Sequence, residues 1–297
     1  MMRNPYKRED VFVCHHEAHR GFGHTVSAYH VLVEKNCFPE GCLEFRWRCQ
    51  RLGKGGACPK GYKHVGTNCN HCRFYDEEKV QHLPELQLSD AAYRVFLDEC
   101  REFDEWLEDR DGRILEVGGT VSSVRPRLVR EEDGRRSRLR LLGFLVRLCP
   151  SFAGRQGFAD PIFLRISGGQ QRRFRLAEGD RMEAEGEIHL SRGRLVVAHP
   201  RRIYIEERGG QPAAEWEQAL LDRVGAVRLD GQPERCLHCE RGVLVDVEDL
   251  TQRRNGRRRE VLCLEGIGRP EDCPYEALRA MRAAGVGSPA AGRRQRA

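Results

Sequence analysis

The sequence predicts a mainly β protein with some α, in which a small five-stranded closed β-barrel is flanked by two cysteine-rich modules. Three observations carry that prediction. Residues 113–207 alternate apolar and polar side chains in short runs separated by glycine-bearing turns, the period-two signature of half-buried strands. Ten of the thirteen cysteines fall in two segments, 37–72 and 236–273, the first of which has too few large apolar residues to build a core unaided. Residues 89–109 repeat apolar side chains at helical intervals. The implied organisation is a Cys/His-rich module at 1–75, an amphipathic helical linker at 76–111, the barrel at 112–207, a linker helix at 208–235, a cysteine-flanked hairpin at 236–275 and a basic disordered tail at 276–297.

Composition bounds the partners. The chain has 297 residues, a net charge of +6 and a pI near 8.7, which permits a polyanionic partner without requiring one. The opening residues lack the apolar run of a signal peptide. The longest apolar run, LLGFLVRLC at 141–149, contains Arg147 and falls short of the roughly 18 residues of a membrane helix. A soluble, cytoplasmic chain with no membrane partner is therefore expected. In a reducing cytosol, grouped cysteines read as metal ligands rather than disulfides.

Residues 1–34 crowd Cys14, His15, His16, His19, His24 and His30 together. The metalloprotease pattern HExxH is absent, because His16-Glu17 is followed too early by His19. These histidines are expected to form a polar surface beside a metal site, with a ligand role for Cys14 or one histidine as the alternative. Next comes CFPEGCLEFRWRCQRLGKGGACPKGYKHVGTNCNHC, holding Cys37, Cys42, Cys49, Cys58, Cys69 and Cys72. Its closing CxxC forms a knuckle whose backbone amides can donate to thiolates, and two further thiolates complete a tetrahedral site. The favoured ligands are Cys49, Cys58, Cys69 and Cys72. Cys37 and Cys42 are then a surplus pair, available to a second site with Cys14 or the histidines. Zinc, as one or two ions, is the first reading; an iron-sulfur cluster, which also takes four cysteines, is the alternative, and reduced unliganded thiols the third. His does not follow the CxxC and no βαβ pattern precedes it, so haem attachment and thioredoxin chemistry are not indicated.

Ser89 or Asp90 caps a predicted helix to about residue 109, with Tyr93, Phe96, Leu97, Cys100, Phe103, Trp106 and Leu107 on one stripe. Cys100 is expected to be a small core residue. Residues 76–111 could also dock a protein partner.

Strands are predicted at 114–124, 137–148, 161–167, 181–190 and 194–206, with connections at 131–137, 151–160 and 168–180. Here LAEGDRMEAEGEIHLSRGRLVVAHPRRIYIE resembles the last two strands of the oligonucleotide/oligosaccharide-binding (OB) fold, and GGTVSSVRP its first. The resemblance spans about residues 112–207. It implies a binding face on the second and third strands and their loops, and it leaves the ligand open. The family places a helix between strands three and four, whereas 168–180 is too short and too rich in Gly, Gln and Arg to predict one.

At 208–235, Trp216, Leu220, Leu221 and Val224 fit one short helix. In the following module Cys236 and Cys239 form a CxxC, strands are predicted at 243–247 and 260–264, and Cys263 and Cys273 complete the set. This resembles a zinc ribbon, in which a metal clamps a knuckle to a hairpin. The Cys-x9-Cys spacing departs from it, so His238 or an N-terminal cysteine could replace Cys263.

Arg125, Arg127, Arg138, Arg140, Arg165, Arg172, Arg173 and Arg175 lie on or beside the barrel strands, among Phe144, Phe158, Phe163 and Phe174. Arginines that neutralise phosphates beside aromatics on which bases stack are the ingredients of single-strand binding. The sequence therefore points to a metal-stabilised, non-catalytic nucleic-acid-binding protein. An iron-sulfur redox or sensor subunit and a structural docking subunit are the alternatives. No phosphate-binding lysine loop, nucleophile elbow or dinucleotide fingerprint is present, so neither an enzyme nor a small-molecule substrate is implied.

Overall fold

The computed structural model describes residues 1–22, 24–134, 136–210, 216–229, 236, 239, 241–250 and 257–274. The protein is mainly β: among the described residues 45% are in strands against 22% in helices. It divides into two compact units: Met1–Thr120 with Leu148–Leu164 and Arg181–Glu206, and Val121–Arg147 with Arg165–Asp180 and Glu207–Ala297. Among the described residues no helix is long and apolar enough to cross a membrane.

The first unit begins with three short strands, β1 (Phe12–Val13), β2 (Thr25–Val26) and β5 (Glu85–Leu86), in the order β2-β1-β5. Between β2 and β5 the chain makes an antiparallel hairpin from β3 (Cys42–Cys49) and β4 (Tyr75–His82). This hairpin straddles residue 75, where the change of composition suggested a boundary. Its sequence alternates: Cys42, Glu44 and Arg46 are half-buried, while Leu43, Phe45 and Trp47 are exposed.

Helix α1 (Asp90–Glu108) forms where the helical period predicts it, and the Ser89 hydroxyl accepts a hydrogen bond from the Ala92 amide at 3.3 Å. Phe96, Cys100, Phe103 and Trp106 are its buried stripe. The covering surface is the chain's own: Tyr6 meets Phe103 edge-on at 5.9 Å and its hydroxyl donates to Asp104 at 2.6 Å, while Trp106 meets Phe158 edge-on at 5.0 Å. Burial pushes the Cys100 thiol up to about 12, so it packs as an unionised core side chain.

The remaining strands are β6 (Ile114–Asp133), β7 (Arg136–Ala153), β8 (Gln156–Phe158), β9 (Ile162–Ile166), β10 (Arg181–Ser191), β11 (Arg194–Glu207), β12 (Val227–Arg228), β13 (Gly242–Asp249) and β14 (Arg257–Cys263). They are hydrogen-bonded in the order β12-β14-β13-β6-β10-β11-β9-β7-β8, with a further pairing of β6 to β7. The strands β6 and β7 run well past their predicted ends and take up parts of the connections expected at 131–137 and 151–160. Glycine permits the close approach of these long strands: at Gly119 (φ 148°) a Cβ would collide with the Pro150 carbonyl.

Two predictions about helices are corrected. Helix α2 (Gly168–Phe174) occupies the segment read as too short for one. A capping box explains it: Ser167 Oγ accepts from the Gln170 amide at 3.1 Å, and the Gln170 side chain accepts from the Ser167 amide at 2.9 Å. Helix α3 (Gln218–Leu221) is shorter than the stripe from Trp216 to Val224 suggested; it buries Leu221 while Leu220 is exposed, and Trp216, buried too, lies before it.

In the second unit β13 pairs antiparallel with β14 and parallel with β6, where Asp246 stands opposite Val129. Arg130 donates to the buried Glu260 at 3.0 Å, and Arg228 approaches the same carboxylate at 3.5 Å. Buried Asp180 accepts from the amides of Ala177 (2.9 Å) and Gly209 (3.0 Å) and from Arg208 (3.1 Å), which satisfies the charge where water is excluded.

Candidate metal centres

Register makes the β3–β4 hairpin a scaffold with two ends: Cys49 stands opposite Tyr75 at one and Cys42 opposite His82 at the other. At the Cys49 end the connection 50–74 carries the next three thiols. The 3-10 turn Thr67–Cys69 delivers the knuckle, closed by the Cys72 amide donating to the Cys69 carbonyl at 2.8 Å. Cys49, Cys58, Cys69 and Cys72 line one cavity of about 20 Å³, beside Tyr62 and His64. That volume holds about one water-sized body. The four favoured cysteines are thus brought together. Their sulfurs stand more openly than in a closed thiolate shell, since no three lie within 4.8 Å of one another, whereas a zinc–sulfur bond of about 2.3 Å implies sulfurs roughly 3.8 Å apart.

At the Cys42 end the surplus pair meets Cys14. Cys14 and Cys37 are buried and Cys42 half-buried. Burial first, then the neighbouring thiols, pushes the Cys37 and Cys42 thiols up, with Cys14 acting on both. Cys37 is held by its amide donating to the Val31 carbonyl at 3.0 Å, and its own carbonyl accepts from Gly41 at 2.6 Å. Gly41 has φ +83°, and a Cβ there would stand 2.7 Å from the His82 carbonyl oxygen.

The histidines are more organised than the expected polar surface. His16 and His82 have ring centroids 4.4 Å apart, His16 and His19 5.8 Å, and His19 and His30 5.0 Å, while His30 Nδ1 lies 2.8 Å from Glu34. Burial, then the adjacent His30, His16 and His24, pushes His19 down to about 4, so it is neutral at pH 7. His82 Nε2 lies 3.0 Å from Glu44, and His16 Nε2 lies 3.9 Å from the same carboxylate oxygen. Arg46 bonds that oxygen too, and the arginine first, then His82, holds the Glu44 carboxyl below its ordinary range. Sequence reasoning missed Glu44 and His82. The alternation of Cys42 and Glu44 was a signal for the former; nothing in spacing pointed to His82, which arrives through strand register.

In the C-terminal module the Cys239 amide donates to the Cys236 carbonyl at 3.2 Å, and the Arg241 amide donates to Cys239 Sγ at 3.4 Å, as in a knuckle. Cys263, at the end of β14, joins Leu229 and Val261 in an apolar cluster against which Cys236 packs. Cys236 and Cys263 are therefore brought together. Cys273 closes the 3-10 turn Pro270–Asp272. His238, offered as a replacement ligand, lies outside the described residues.

Two of the aromatics expected on a nucleic-acid face are buried. Phe144 and Phe158 are 2% and 0% exposed and belong to the core, because strand alternation turns them inward; neither can stack a base. Phe163 and Arg165 alternate with buried Ile162, Leu164 and Ile166 and so point outward from β9. Arg194 lies over the Phe163 ring at 5.1 Å. Arg172, Arg173 and Arg175 are exposed on and just after α2, with Arg173 over Phe174 at 5.2 Å. Arg138 and Arg140 are exposed on β7, Arg140 pairing with Glu131 at 3.0 Å, and Arg125 is half-buried on β6. Burial, then proximity to Arg165, pushes the Arg127 guanidinium down, so these two cations share one region of the second unit. The tail at 276–297 lies outside the described residues. Comparison with family models, with characterised proteins and with solved structures finds no match to this chain.

Proposed function

We propose that this chain is a metal-stabilised, non-catalytic nucleic-acid-binding protein that takes single-stranded DNA or RNA on an OB-type barrel. Strand connectivity carries the reading. In chain order β6, β7, β9, β10 and β11 are five strands with α2 between the third and fourth, and their pairings make the circuit β6-β7-β9-β11-β10-β6. That is the arrangement expected of a five-stranded Greek-key barrel of this type, whose binding face lies on strands two and three. Arg138 and Arg140 on β7 and Arg165 on β9 supply cations there, and the α2 arginines with Phe174 add cations and aromatic surface to the same unit. Arg125 and Arg127 extend the basic character along β6.

The cysteine modules support the barrel by holding loop-rich segments in one shape. Zinc is the reading that the Cys49, Cys58, Cys69 and Cys72 cavity supports best, because four thiolates satisfy a structural site and leave no open position for chemistry. Cys236, Cys239, Cys263 and Cys273 are the donors of a comparable C-terminal centre. A colourless protein as purified anaerobically, carrying about stoichiometric zinc, is the expected outcome; a brown protein with broad visible absorption would replace zinc by an iron-sulfur cluster.

Fluorescence anisotropy with a labelled single-stranded oligonucleotide tests the binding. Affinity is expected to fall steeply with salt, each neutralised phosphate adding about 0.7 to the slope of log K against log salt. Replacing Arg172, Arg173 and Arg175 by alanine should weaken binding and flatten that slope with thermal unfolding unchanged. No binding at low salt would remove the reading.

A further inference from the structure

The Cys42 end of the hairpin carries donors that the thiol cavity does not use, and two independent strand pairings assemble them. In the β3–β4 ladder Cys42 stands opposite His82, and alternation puts Glu44 on the same face one diagonal step away. In the β1–β5 ladder Val13 stands opposite Glu85. His16, three residues after Val13, therefore runs beside His82, three residues before Glu85. The result is one donor atom each from His16, Glu44 and His82, all within 4.8 Å of one another. Their side chains are 22%, 31% and 14% exposed, sheltered yet reachable.

We propose that His16, Glu44 and His82 form a further metal site, taking a divalent first-row transition ion such as zinc through two imidazole nitrogens and one carboxylate oxygen. Imidazole donors suit zinc, copper, iron and nickel and disfavour magnesium and calcium. Bonds of about 2.0–2.2 Å at tetrahedral angles place donors roughly 3.3 Å apart. The observed 3.0 and 3.9 Å separations bracket that spacing, so side-chain adjustment suffices. Arg46 shares the Glu44 oxygen at 3.0 Å. An ionised carboxylate has about four lone-pair positions, so Arg46 orients the group while others remain for a cation. Three protein donors leave a fourth position open to water or an exogenous ligand, the opposite of a closed four-thiolate centre. The site shares no residue with the thiol cavity and does not rest on the nucleic-acid reading.

Cobalt(II) added to the metal-stripped, reduced full-length chain tests it, because thiolate-bound cobalt has an intense near-ultraviolet charge-transfer band that nitrogen- and oxygen-bound cobalt lacks. The wild type is expected to bind one ion per chain that adds nothing to this band. Glu44→Gln, which keeps the side chain's size, and His82→Ala should each lose that ion while far-ultraviolet circular dichroism and any thiolate band stay unchanged. Three results overturn the proposal: both variants retain the full cobalt load, every wild-type ion shows the thiolate band, or the ion lost in the variants takes part of that band with it. A chain with no thiolate band at all, but with the Glu44-dependent ion, leaves this site standing and removes the thiol centre.

Discussion

The β3–β4 hairpin ends differently at its two ends. At the Cys49 end four cysteines line one small cavity, and three of them arrive on the single connection 50–74. At the Cys42 end imidazoles and a carboxylate arrive from the segment after β1, from β3 and from the end of β4. The first arrangement is local, and under the zinc reading an ion would close its shell. The second requires two ladders to exist before its donors meet. The thiol centre should therefore help to make the hairpin, and the histidine end should depend on the hairpin being made.

The largest effect tests that dependence. Replacing Cys69 and Cys72 together by serine removes the knuckle, and structural zinc supplies on the order of 10 kcal/mol of folding free energy in small modules. Limited proteolysis is expected to open residues 42–82, and metal analysis should find the ion at His16, Glu44 and His82 lost as well; retention of that ion would mean that the histidine end forms without the thiol end. A smaller effect separates the ends in the other direction. Gly41→Ala forces a side chain into a left-handed conformation and against the His82 carbonyl, for about 2 kcal/mol in thermal or denaturant unfolding. Cobalt binding at the histidine end should weaken while the thiolate band stays. The smallest effect concerns the strand between. Phe45→Ala and Trp47→Ala remove side chains that are each 47% exposed, and each should change stability by no more than about 0.5 kcal/mol. A larger loss would mean that this face is not simply solvated and that the ends communicate through it.

Legibility followed the range of the interactions. Helix α1 was readable because its signals are local: a serine cap, a 3.6-residue period and a single apolar stripe that is buried at Phe96, Cys100, Phe103 and Trp106. Helix α2 was missed although Ser167 and Gln170 stand at capping-box spacing, because Gly168, Gly169 and the glutamines obscured a cap that outweighs their low propensity. Phe144 and Phe158 were misread as binding residues because aromatic character does not reveal which strand face is the core. The grouping of Cys49, Cys58, Cys69 and Cys72 came from spacing, since a CxxC and two preceding thiols lie within one short segment.

The sequence by itself determined the mainly β class, the position of the long helix and the candidate thiol ligands, because alternation, helical period and cysteine spacing are short-range properties of the chain. Tertiary structure alone decided that Glu44 and His82 join His16, that Cys14 joins Cys37 and Cys42, and that Phe144 and Phe158 turn inward. The physical reason is register. A one-residue slip in either ladder would turn every side chain of that strand to the other face, and register is settled by what the whole sheet buries rather than by the residues that the site uses.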